Sequence, residues 1–227
     1  MTRAVPFKPF GGIMGRIMGR PLGRILRDSS AATIVEIALA MPLLMGLALG
    51  GAEVVNLALL HLRLNQVAIT VADNASRAKQ AVVGAAPQFR EYDVNQVFTA
   101  AALSVDDLDF PQNGRVILSS LETNASGGQW IHWQRCWGAT NYNSRYGVQG
   151  TGATGTAFAG MGQTTTKMVA DSGSAIMFVE VAYNYQPMFL TGVVGPKVIR
   201  KEAALYVRDD RDLTKIYPTT GITAATC

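Results

Sequence analysis

Residues 33–60 read TIVEIALAMPLLMGLALGGAEVVNLALL, an almost unbroken apolar run that holds two glutamates and no basic residue. About 20 helical residues cross the hydrocarbon core of a bilayer, so this run is long enough to do so. A plain anchor has no use for Glu36. An ionised group at the centre of such a span costs roughly 2.5–3.5 kcal/mol, and it calls for a partner or a purpose.

Charge distribution sets the direction of the span. The chain of 227 residues has a net charge of +4. Arg3, Lys8, Arg16, Arg20, Arg24 and Arg27 precede the apolar run, with Asp28 as the lone acid among them. Setting these aside from the totals of 20 basic and 16 acidic residues leaves 14 and 15. The folded part is therefore close to neutral, and a nucleic-acid surface, which needs basic residues on the folded body, is not indicated. Basic residues flanking a span stay in the cytoplasm, which puts the large C-terminal part outside it. The leader repeats IMGR, IMGR, PLGR, with Arg16, Arg20 and Arg24 four residues apart. It reads as a basic tether for anionic head groups. A competing account is a secretory signal cut after the small-x-small sequence Ala48-Leu49-Gly50, which would release a secreted enzyme. The apolar residues that continue through Val54, Val55, Leu57 and Leu59 count against it.

Beyond the run, Leu60, Leu64, Val67, Val71, Ala75, Ala78 and Val82 recur at steps of three and four, a single helical stripe. The spacing predicts one helix over residues 33–83, ended by Gly84 and Pro87. A second helix is expected over 94–104. Strands are expected at 115–121, 129–137, 174–185 and 197–208. In the last of these, Ile199, Ala203, Leu205 and Val207 alternate with polar residues, as in an antiparallel sheet with one covered face. Residues 147–166, rich in glycine and threonine, form a long loop. The expected organisation is a leader at 1–31, a transmembrane helix continuing as an amphipathic helix at 32–84, and an α+β domain at 85–227.

Several motifs carry no chemistry on inspection. Gly150, Gly152 and Gly155 match G-x-G-x-x-G, but neither the strand before nor the helix after that a dinucleotide site needs is present. His61 and His132 lack a neighbouring nucleophile motif. The charged run at 208–212 reads as solvated and self-paired. No ligand spacing indicates a metal. No catalytic, cofactor-binding or metal residue is assigned, and the chain is read as non-enzymatic. Cys136 and Cys227 are either a disulfide that staples the C-terminus to the body, the favoured reading in an oxidising compartment, or two unrelated thiols. Gly46 and Gly50 form GxxxG, and Glu53 falls seven residues after Gly46, nearly on the same face. Together they suggest a seam for other helices; the alternative is a monomeric anchor with incidental glycines.

The stretch from Ser30 to Lys79 resembles the N-terminus of TadE-like proteins, the minor pilins or pseudopilins of bacterial tight-adherence (Flp) pilus systems. The shared features are the basic leader, small residues before Val35-Glu36, Pro42, the leucine-rich span, Glu53, and the stretch Asn65-Gln66-Val67-Ala68. VAYNYQPMF and LYVRDDRD, near the C-terminus, resemble the family's last strands. The resemblance implies a pilin-like fold in which a long N-terminal transmembrane helix packs on a small antiparallel sheet. It implies a prepilin peptidase cutting between Ala31 and Ala32, where alanine replaces the usual glycine. It also implies that Glu36 acts as an assembly contact, neutralising the new amine of Ala32 on a neighbouring subunit. Implied partners are other pilins and pseudopilins, the inner-membrane assembly platform and the lipid bilayer. Implied localisation is single-pass in the bacterial inner membrane, with the C-terminal domain periplasmic or displayed on a pilus. A rival of another class is an anchored envelope protein that recognises peptide or sugar through Trp130–Trp137.

Overall fold

The computed structural model describes residues 29–138, 142–189, 191–192, 195–208 and 210–227. The leader, apart from its last three residues, lies outside them, as does Asp209 of the charged run. Helix α1 runs unbroken over Ser29–Arg77, 49 residues with Pro42 inside. Proline deletes one backbone hydrogen bond there, a loss that apolar spans tolerate. The chain divides into two units, Met1–Gly51 and Ala52–Cys227.

In the first unit the described residues are helix alone. Every side chain from 32 to 49 is exposed, including Ile34, Leu39, Leu43, Leu44 and Leu47, each more than 60% exposed. Among the described residues one helix, near the N-terminus, is long and apolar enough to cross a membrane, with a mean hydropathy of 2.1. This much supports membrane anchoring.

In the second unit the expected stripe packs inward. Leu64, Val67, Val71 and Ala75 are fully buried. The helix stops at Arg77, short of the expected residue 83. Strands β1 (Gln80–Val82) and β2 (Ala85–Gln88) follow as a small hairpin. Val82 pairs with Ala85, so Val83 and Gly84 alone make the turn. Gly84 adopts φ 74°, which a side chain would oppose. Helix α2 spans Glu91–Leu103. It begins three residues before the expected start, where the Asp93 carboxylate accepts the Arg90 backbone N–H at 2.9 Å. A 3-10 turn at Asp106–Leu108 and a short helix α3, Phe110–Asn113, lead into the sheet.

Strands β3 (Gly114–Thr123), β4 (Gln129–Trp137), β5 (Ala175–Tyr185) and β6 (Lys197–Tyr206) form one antiparallel sheet in the order β4-β3-β5-β6. Val116, Leu118, Trp133, Met177, Val179, Val181 and Ile199 share one core with α1 and α2.

The expectation of a single covered face fails: in β6 Ala203 and Leu205 pack on one side and Ala204 on the other, and the centre is buried on both. Leu121, Ile131, Ile176 and Phe178 point the other way and are buried under Met161, Ala170, Tyr146, Phe158 and Met168. The strand order supplies the reason. The chain leaves β4 at one edge and must cross β3 to enter β5, and its long connection crosses on the face away from α1. A strand buried on both faces reads as a nearly continuous apolar run, as AIMFVEVAYNY does.

The glycine-threonine loop is therefore a cover with fixed contacts. The Asn124 side-chain amide donates to the carbonyls of Gly152 and Gly155, each at 2.7 Å. Gly152 has φ 77°. A Cβ there would lie 2.4 Å from the Gln129 carbonyl oxygen, so Gly152 serves close packing, whereas Gly150 and Gly155 have open space around them.

Candidate functional site

The residues singled out in the sequence fall into two groups. The Ala31–Ala32 bond lies in the first turn of α1. Glu36, four residues after Ala32 and hence on the same helical face, is exposed. Gly46 is open, since an added Cβ would meet nothing within 4 Å. Gly50 is half-exposed. These positions offer an uncovered surface.

Glu53 differs, and here the expected seam is corrected. Its side chain is only 2% exposed and is held within its own domain. The Tyr185 hydroxyl donates to Glu53 Oε1. The backbone N–H groups of Met188 and Phe189 donate to Oε2 at 3.1 and 2.9 Å. A carboxylate accepting several hydrogen bonds is satisfied where it lies. Burial, followed by the bond to Glu53, raises the Tyr185 phenol above its ordinary value of 10, so it keeps the proton it donates. The sequence held the cue: Glu53, Leu57, Leu60 and Leu64 are spaced by four, three and four, which continues the buried stripe backwards.

The C-terminal segment locks the other end of α1. Charge runs are ordinarily solvated, but Arg211 is buried, at 9% exposure. Its Nη1 donates to the carbonyls of Ala75 and Ala78 at 2.8 and 3.0 Å, closing the end of the helix. Its guanidinium lies 4.4 Å from the Phe89 ring centroid. Burial pushes Arg211 down to about 10, which leaves it charged at neutral pH. Arg208 pairs with Asp73 at 2.9 Å. Arg208 and Arg211 are thus spent on contacts with α1, while Asp212 accepts from the Thr214 N–H and the Tyr217 hydroxyl.

Further along, Cys136 and Cys227 form a disulfide with a Cα–Cα distance of 4.9 Å. The Cys136 N–H donates to the Ala225 carbonyl at 2.7 Å.

The aromatic cluster is divided. Trp133 is 6% exposed and stacks on Phe89 at 5.6 Å in the interior. Trp137, half-buried, stacks on Phe110 at 5.1 Å. Trp130, also half-buried, stacks on His132 at 4.3 Å. Trp133 therefore offers no open ring for peptide or sugar.

Ser120, Glu122 and His132 do meet. His132 Nδ1 lies 2.8 Å from Glu122 Oε2, and the Ser120 hydroxyl donates to Oε1 at 2.5 Å. The carboxylate stands between the other two, so the imidazole does not contact the hydroxyl it would have to activate. Ser120 is also fully buried. Among the described residues no cluster of three or more His, Cys, Asp or Glu suits a metal ion.

One buried acid makes stability depend on pH. Glu180 is 4% exposed, faces Glu202 across the strands and accepts the Arg145 N–H at 2.9 Å. Burial raises its carboxyl and Glu202 adds to this, while the Arg145 amide, Ser144 and Arg200 pull it down. A raised folded value favours the protonated form. The contribution is complete below the ordinary value near 4.5 and is lost as pH rises through the folded value. Glu180→Gln is therefore expected to melt like the parent near pH 4 and several degrees higher near pH 8. Melting curves across that range check this; parallel curves for the two proteins would refute it.

No family model, curated protein or solved structure matches the chain. The fold and site define its class on their own terms. It is an α+β protein with a small antiparallel sheet and an N-terminal helix fit to cross a membrane.

Proposed function

We propose that the chain is a membrane-anchored minor pilin or pseudopilin that acts in assembling a tight-adherence pilus. One observation carries the reading. Residues 32–49 of α1 leave an apolar helical surface uncovered while presenting Glu36 on it. The same helix, past Glu53, spends its apolar stripe on its own sheet. Such a helix needs lipid, other helices, or each in turn.

In this reading the leader stays in the cytoplasm and the sheet domain lies in the periplasm or on a fibre. A prepilin peptidase removes residues 1–31, leaving a charged amine on Ala32. Glu36 of an adjacent subunit pairs with it, since each charge alone is costly in lipid. The role is structural, and its partners are other pilins and the inner-membrane platform.

The intact mass of the chain recovered from pilus-producing cells tests this. A mature protein beginning at Ala32 is expected. A product beginning at Gly51 would place it among secreted proteins, and one beginning at Met1 would remove the processing step.

A further inference from the structure

The β5–β6 connection is not built like a solvated hairpin loop. Such loops are ordinarily polar, yet from Gln186 to Pro196 the sequence carries no charge. Met188 and Phe189 hold their side chains 62% and 49% exposed. They are also fixed in place, because their backbone N–H groups are the ones that bind the Glu53 carboxylate.

Glu53 marks a particular level. A span of about 20 residues counted from Thr33 ends at Ala52, so Glu53 stands at the outer end of the shortest span that the run provides. One flank carries an interfacial cation. The exposed Lys197 is the ladder partner of the buried Tyr185, and its Nζ lies 6.0 Å from that ring centroid. Lysine ammonium groups favour the head-group level.

We infer that Met188 and Phe189 enter the acyl boundary of the bilayer beside the exit of α1, with Lys197 at the phosphates. Occupancy is by lipid, because the loop is tied to the residue at which the span ends. The inference rests on the anchored reading of α1.

Spin labelling of the full chain in liposomes tests both and separates them. Single cysteines replace Phe189, Ala40 in the span and Thr154 in the exposed cover loop, with the native disulfide kept. The Glu53 contacts use backbone amides, so Phe189→Cys leaves them intact. At position 189 the label is expected to collide with oxygen several-fold more than with a nickel chelate, at a depth of about 5–10 Å. Position 154 should show the reverse preference. Position 189 behaving like 154 while position 40 reports lipid would overturn the loop contact and leave the anchor standing. Position 40 reporting water would overturn both. The liposomes hold no other kind of protein, and a low ratio of chain to lipid keeps copies of this one apart, so a protein partner cannot produce the expected signal.

Discussion

Replacing Glu36 with alanine is expected to leave the chain inserted in the membrane and to abolish pilus assembly. The substitution removes the charge whose burial costs roughly 2.5–3.5 kcal/mol, so insertion becomes easier. Glu36 is exposed in the single chain, so the fold of residues 52–227 has no stake in it. What disappears is the partner for the Ala32 amine of the next subunit. That amine, left alone among apolar helices, opposes docking by an amount of the order of the loss on breaking a buried ion pair, about 3–5 kcal/mol. This corresponds to at least a hundredfold weaker addition of each subunit. Glu36→Asp keeps the charge on a shorter arm and should restore part of the assembly, whereas Glu36→Gln should not. Carbonate extraction measures insertion, and immunoblots of sheared surface fractions measure assembly. Normal piliation by the alanine variant would sink the proposed contact.

Arg135→Ala is expected to destabilise the folded domain by about 3–5 kcal/mol. Arg135 and Glu91 are 9% and 6% exposed. Arg135 Nε lies 3.0 Å from Glu91 Oε2, and Nη2 lies 2.5 Å from Oε1, a two-pronged ion pair joining β4 to the first turn of α2. Removing the guanidinium leaves a buried carboxylate with no countercharge. The Gln134 carbonyl also loses a donor at 2.8 Å. The double variant Arg135→Met with Glu91→Leu removes both charges and fills similar volume, so it should recover most of the loss. Denaturant unfolding of the full chain in mild detergent, followed by tryptophan fluorescence, reads both variants, because Trp133 lies in the core. A loss below about 1 kcal/mol in the alanine variant would show that the pair is solvated in practice.

How far the sequence discloses this molecule depends on whether its signals are periodic. The four strands of the sheet lie within a few residues of their expected places, and 129–137 coincides with β4. Alternation and β-branched runs are local properties, so the sequence displays them. The stripe on α1 was legible for the same reason. The hairpin after Arg77 was not, because Ala78 and Val82 continue the helical spacing by chance. The carbonyls at the helix end are capped by Arg211, which is distant in sequence. Glu53 was misassigned for a related reason. Composition shows a carboxylate near the end of an apolar run, but its donors come from Tyr185, Met188 and Phe189, more than 130 residues away. The second covered face depends on strand order, which no local pattern encodes. The surface around Glu36 was legible because it makes no contacts within the domain, so position and composition describe it fully.

The route from β4 over β3 into β5 also imposes an order of events on synthesis. Strands β3 and β4 are neighbours in sequence and pair early, as local contacts do. The other edge of β3 then stays open until residues 138–174 have emerged and β5 arrives to fill the middle of the sheet. During that interval a nascent hairpin displays unpaired amides and carbonyls along a strand rich in Val, Ile and Leu, the kind of edge that recruits stray strands. In the proposed topology, with the leader kept in the cytoplasm and the segment after α1 exported, the wait falls on the far side, so the burden of shielding that edge passes to whatever attends newly exported polypeptides there.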